Sequence, residues 1–152
     1  MELFRITRTI YKDDLTGIGA FHYGGRWNSP GRPMLYASSH RSLSMLEVLV
    51  HSSRSTPPPD YVIVVLFVPD SIKSLSAYTV QDWQQDPQWS KSIGDEWLED
   101  NKSLLLRVPS VVVTSEYNYL INTAHPDASE IKVVQVEPFE FDKRLFFFSK
   151  SK

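Results

Sequence analysis

Residues 23–40 read YGGRWNSPGRPMLYASSH, and residues 43–51 continue LSMLEVLVH. The stretch PMLYAS, bounded by Pro33 and two serines, predicts a short strand that carries Tyr36. From about residue 39 to residue 51, Leu43, Leu46 and Val50 recur at helical spacing, and Ser39 or Ser42 is placed to cap that helix. Glu47 falls inside the apolar stripe, four residues after Leu43 and three before Val50. An arginine behind two glycines, a tyrosine in a strand and a glutamate among leucines together suggest a cleft for an anionic, aromatic ligand.

On either side the chain alternates between strand and helix patterns without a regular order. LFRIT near the N-terminus places Leu3, Arg5 and Thr7 on one face and Phe4 and Ile6 on the other, which predicts an opening strand. Residues 16–25 hold four glycines and read as a loop. STPPPD at residues 55–60 stops the first helix and stiffens the connection. Residues 61–68, YVIVVLFV, are a continuous β-branched and apolar run, the pattern of a buried strand. Asp86-Pro87 supplies a cap and a first-turn proline for a second helix, along which Trp89, Ile93 and Trp97 recur every four residues. LLLRVP, SVVVT and IKVVQVEPFEF then read as strands, with NYLINTAHPDA as a long connection among them. The closing FFFSKSK reads as an apolar anchor followed by a basic tail at residues 149–152. Irregularly mixed strands with two or three helices predict an α+β fold rather than a doubly wound one.

Composition narrows the function. A chain of 152 residues fits one domain, and 41% hydrophobic with 22% charged residues is ordinary for a globular protein. Sixteen basic against 18 acidic residues leave a net charge of −2, which argues against a dedicated nucleic-acid binder. There is no cysteine, so thiolate catalysis, disulfides and cysteine-ligated zinc are excluded. MELFRITRTI lacks the regions of a signal peptide, and the longest apolar run is too short to span a bilayer, so a cytoplasmic protein without membrane contact is expected.

Each candidate residue has a plain and a functional reading. Glu47 is either a member of a structural ion pair, with Arg41 or Arg54, or a carboxylate held for use, because burying its charge unpaired is costly. Arg26 is either an exposed turn arginine or a guanidinium brought by Gly24-Gly25 against a carboxylate or phosphate. The GGR stretch is neither a dinucleotide-binding glycine motif nor a phosphate-binding loop. Tyr36 is either core or a ring on which a ligand ring stacks. Arg5, in a strand expected to be central, needs an anionic partner. Ser110, after Pro109, caps a strand or bonds the backbone, and its surroundings do not match a hydrolase elbow. His22, His40, His51 and His125 show no paired metal-ligand spacing, so no metal is expected.

In chain order, LFRI, GGRWNSPGRPMLYAS, LEVLVH, GDEWL, VPSVVVTSEYNYLINTAHPDA and FDKRLF resemble the RES domain family, toxins of bacterial toxin–antitoxin pairs named for arginine, glutamate and serine positions. The resemblance covers residues 1–148. Thr114 and Thr123 stand where the pattern has proline, in loop positions.

The resemblance implies a single α+β domain with a split, mixed β core like that of ADP-ribosyltransferases, flanked by a few helices. It implies NAD as substrate rather than cofactor, either degraded or used to place ADP-ribose on a protein. Arg26, Tyr36, Glu47 and Ser110 become the catalytic candidates, and Arg5, Arg26 and Tyr36 the NAD-binding ones. Arginines suit the pyrophosphate, a tyrosine face suits the nicotinamide, and a carboxylate suits the oxocarbenium-like cation formed as the nicotinamide–ribose bond breaks. Ser110 is given a hydrogen bond to nicotinamide or its ribose. The implied partner is an antitoxin with an Xre-type helix-turn-helix domain that blocks the cleft, so DNA is reached only through it; a homodimer is also compatible. An NAD glycohydrolase leads a mono-ADP-ribosyltransferase, and a non-catalytic binding module is the reading from another class. Retention of all five polar candidates speaks against the last.

Overall fold

The first strand, β1 (Glu2–Arg8), forms as its alternation predicts and pairs over its whole length with β3 (Tyr61–Phe67), from Glu2 opposite Phe67 to Arg8 opposite Tyr61. The β-branched run of β3 is covered on both faces, with Val64 and Leu66 fully buried. Its other edge pairs antiparallel with β7 (Lys132–Phe139), with an irregularity between Val65 and Leu66. The structure is a computed structural model and describes residues 1–53 and 55–147.

A second group of strands is built on β2 (Leu35–Ser38), which pairs antiparallel with β6 (Tyr117–Ile121). β6 in turn pairs antiparallel with β5 (Leu105–Pro109), and β5 lies parallel to β4 (Ser74–Ser76). The full order is β4-β5-β6-β2-β1-β3-β7, a mixed seven-stranded sheet. The two groups join between β1 and β2 through a single residue pair, Phe4 opposite Ser38. Beyond it the strands diverge, and the Ile6 N–H is met by Ser44 Oγ at 3.0 Å instead of by a neighbouring strand. This is the split of an α+β domain.

Among the described residues three α-helices flank the sheet: α1 (Ile18–Tyr23), α2 (Arg41–Leu49) and α3 (Pro87–Asp100). α2 lies on the face formed by Phe4, Ile6, Ile63 and Val65, through Met45 and Val48. α3 starts as its sequence predicts: Asp86 accepts from the Trp89 N–H at 3.0 Å and Pro87 occupies the first turn. Its Trp97 enters a cluster with Trp27, Met34, Trp83, Leu106, Val108 and Leu120. Burying side chains of this size stabilises by roughly 1.5–3 kcal/mol each. No helix among the described residues is long and apolar enough to cross a membrane.

Local expectations needed correction in five places. Residues 16–25 hold α1, short and without a buried residue, framed by Gly17 and Gly24 at positive φ. The cap of α2 is His40, not Ser39 or Ser42, and its side chain makes no capping bond. The helix buries Leu43, Ser44 and Leu49, while Val50 is 55% exposed, so the apolar stripe is rotated from the expected one. SVVVT is a turn rather than a strand, because Ser110 Oγ accepts from the N–H of Val112 (3.0 Å) and Val113 (3.1 Å) and folds the chain back. NYLI belongs to β6, its backbone being taken up between β2 and β5, so the long connection begins only after Ile121. Arg54, a proposed partner of Glu47, and the basic tail at residues 149–152 lie outside the described residues.

Candidate active site

Where β1 and β2 part, the gap becomes a cleft of about 990 Å³. β1 lends it Arg5 and Thr7, β2 lends Tyr36 and Ser38, α2 lends Ser44 and Glu47, and the turn after α2 lends His51. The glycines around α1 form its other wall, and Lys91 of α3 and Asn118 of β6 also reach it. Its volume lies at the upper end of the ~300–1,000 Å³ common for small-molecule sites.

Glu47 is half-buried on the cleft side of α2, and Arg41 does not pair with it. Arg41 instead clamps Glu137 with two bonds of 2.8 and 2.9 Å and lies over the Phe4 ring. Glu47 Oε1 accepts from Ser110 Oγ at 2.6 Å and from Asn118 Nδ2 at 2.8 Å. Among the described residues Oε2 accepts from none. One carboxylate oxygen is thus held by two donors.

Ser110 is fully buried, and its neighbours Pro109, Val111 and Val112 line the cleft while it does not. Two backbone N–H groups occupy its oxygen, so its one proton goes to Glu47.

Arg26 lines the cleft at the turn between α1 and β2. Its Nη2 donates to the carbonyls of Trp83 (3.0 Å) and Gln84 (2.6 Å), and its Nε is buried without a partner. A free two-nitrogen fork is therefore not presented; Nη1 is the nitrogen left over. α3 braces this turn: Ser90 Oγ donates to the Arg26 carbonyl at 2.8 Å, and Asp95 accepts from Ser29 N–H and Oγ at 2.9 and 2.6 Å. Gly94 makes the approach possible, since a Cβ there would lie 1.6 Å from the Trp27 carbonyl oxygen.

Tyr36 closes the same turn. Its hydroxyl accepts from the Trp27 N–H at 3.0 Å and donates to Asn28 Oδ1 at 2.6 Å. Burial pushes its pKa well above the ordinary tyrosine value, the Trp27 bond opposes this, and Asp95 adds to it. Gly25 is required beneath the ring, because a Cβ would meet the hydroxyl at 2.6 Å.

Arg5 does sit in an interior strand, but its hydrogen bonds go to the carbonyls of Asp14 (3.1 Å) and Tyr11 (3.4 Å). Burial lowers its pKa and the nearby Asp14 charge partly restores it. Arg5 thus anchors the segment leading into α1 while facing the cleft.

The structure brings Arg5, Arg26, Tyr36 and Glu47 to one cleft, with Ser110 immediately behind it. Sequence reasoning missed Asn118, Ser38 and Lys91. Ser44 and Glu47, at i and i+3, form a polar pair that was legible on α2. No spacing signals Asn118, which reaches Glu47 only through the pairing of β6 with β2.

The model of the RES domain matches residues 2–142, a span that contains all five candidates. The chain belongs to the RES domain family. This RES domain is 39% identical over 145 residues to the Prs ADP-ribosylating toxin of Sphingobium sp. (strain YBL2), covering 91% of this chain and 90% of that protein. It is 38% identical over 138 residues to Toxin Res of Pseudomonas putida, covering 88% and 93%. The RES fold here also superposes on a chain in the crystal structure of the M. tuberculosis MbcT-MbcA toxin-antitoxin complex, with a TM-score of 0.69, 18% identity, and 95% and 85% coverage.

Proposed function

We propose that this RES domain is the toxin of a toxin–antitoxin pair and cleaves NAD at the nicotinamide–ribose bond, with water as acceptor. The observation that carries the reading is Glu47: a carboxylate in a cleft lined by three cations, with one oxygen clamped and the other unengaged among the described residues. As the bond breaks, its electron pair returns to the pyridinium nitrogen and neutral nicotinamide leaves. The ribose carbon gains positive charge, which the fixed carboxylate stabilises where it develops. Water then adds to that carbon and loses a proton, giving ADP-ribose.

Cationic groups suit the pyrophosphate. Arg26 offers Nη1, and Lys91 has no hydrogen bond or ion pair among the described residues. The Tyr36 ring, fixed by its two hydroxyl bonds, is the stacking surface for nicotinamide in this reading. Growth arrest follows from loss of NAD. The partner is an Xre-type helix-turn-helix antitoxin that buries the cleft, and it keeps the cell's own NAD intact.

A second reading is transfer of ADP-ribose to a protein, favoured by the name of the Sphingobium relative. One experiment separates the two. Purified protein is incubated with labelled NAD, with and without cell extract. Nicotinamide and soluble ADP-ribose without extract support the hydrolase. Strong label on one protein band, with negligible turnover in its absence, supports the transferase. No nicotinamide in either arm overturns both.

A further inference from the structure

We infer that Asn118, oriented by Ser38, is a positioning residue for Glu47: the point at which the sheet splits sets the direction of the reactive carboxylate. The inference rests on the reading of the cleft as an NAD site. Its evidence is a chain of hydrogen bonds in which each direction is forced.

Ser38 is the last residue of β2, and it lies opposite Phe4 on one side and Asn118 on the other. It is therefore in the one row that ties both halves of the sheet together. Its hydroxyl donates to Asn118 Oδ1 at 2.6 Å. The amide consequently turns its NH₂ toward Glu47, where Nδ2 donates to Oε1 at 2.8 Å. A carboxylate can only accept, so the reverse amide orientation would set oxygen against oxygen. Ser110, the residue after β5, donates to the same Oε1 at 2.6 Å.

A residue of β6 and the residue that follows β5 thus hold one oxygen of a glutamate borne on a helix. That convergence sets the carboxylate plane and leaves Oε2 without a donor among the described residues. Among the described residues Ser38 makes no hydrogen bond to Glu47, and the hydrogen-bonded route between them runs through the amide of Asn118.

The test uses Asn118→Ala, the isosteric Asn118→Asp, Ser38→Ala and Ser38→Thr, with Glu47→Gln alongside. Nicotinamide release is measured against NAD concentration, and thermal melts confirm folding. Loss of the amide donor lowers kcat about 10- to 100-fold, the size of one bond to a charged group. KM stays within about two-fold, because positioning acts on the transition state and not on NAD binding. Ser38→Ala repeats the kcat loss, and Ser38→Thr, which keeps the hydroxyl, recovers most of it. Wild-type kcat in folded Asn118→Ala, or a raised KM with kcat unchanged, overturns the inference.

A second readout is independent of turnover: the carboxyl ¹³C resonance of Glu47 at fixed pH. It moves in Ser38→Ala and returns in Ser38→Thr. An unmoved resonance overturns the relay. If the wild-type protein releases no nicotinamide, the NAD reading has failed, and this resonance alone decides whether Ser38 acts on Glu47. If turnover is normal and only Glu47→Gln is impaired, the NAD reading stands and the role of Asn118 is refuted.

Discussion

Ser110 Oγ donates to Glu47 Oε1 at 2.6 Å across a separation of 63 residues, while its oxygen accepts from the N–H groups of Val112 and Val113. The bond ties a serine behind the cleft to the glutamate that lines it. Ser110→Ala should therefore lower kcat and leave KM nearly unchanged. Two part-buried N–H groups lose their acceptor, so a destabilisation of about 1–3 kcal/mol is also expected. A steady-state comparison with a thermal melt checks both; a rise in KM alone would instead put Ser110 on the substrate.

Glu47→Gln keeps a carbonyl oxygen for Ser110 and Asn118 and removes only the charge. Nicotinamide release should fall about 10²- to 10³-fold, equivalent to roughly 2.7–4 kcal/mol of barrier, with melting temperature little altered. Near-normal turnover in the folded variant would reduce Glu47 to a structural role.

Arg26→Lys should not restore function to the site. One ammonium cannot hold the carbonyls of Trp83 and Gln84 and also present a nitrogen to the cleft. NAD titrations should show weaker binding for the lysine variant. Equal affinity would mean that Arg26 serves only the 83–85 segment.

Gly94→Ala tests whether α3 sets the cleft wall. The added methyl would lie 1.6 Å from the Trp27 carbonyl oxygen, so the helix or the turn bearing Arg26 has to shift. Overpacking of this kind costs about 1–3 kcal/mol. A lowered melting temperature together with a raised KM is expected; a lowered melting temperature with unchanged KM would separate α3 packing from NAD binding.

Tyr36→Phe leaves the ring but orphans the Trp27 N–H and the bond to Asn28, at about 1–3 kcal/mol. Burial raises the Tyr36 pKa. Above roughly pH 10 the unfolded chain loses this proton while the folded chain keeps it. The unfolded state then binds fewer protons, so stability falls as pH rises through that window. Denaturant melts should show this decline in the wild type and a shallower one in Tyr36→Phe. For NAD turnover, Tyr36→Ala should lose more than Tyr36→Phe if the ring face stacks on the ligand.

Much of the fold was legible in local pattern. β1 and β3 announced themselves by alternation and by a β-branched run, and α3 by Asp86-Pro87 and its tryptophans, because those signals arise within a few residues. The turn after Ser110 was not, since three consecutive valines favour a strand until one hydroxyl takes two of their N–H groups. β6 was hidden for a related reason: YNYLI has mixed polarity, and its strand state comes from partners on both sides.

The site divides in the same way. Residue type singled out Arg5, Arg26, Tyr36, Glu47 and Ser110 as groups needing a partner or a use, and only the resemblance to the RES domain family implied their roles. Which partner could not be read from the chain. Glu47 met Ser110 and Asn118 rather than Arg41, because strand register and the crossing of α2 decide which atoms come within 3 Å. Those long-range distances exist only once β1 and β2 have parted after Phe4 and Ser38.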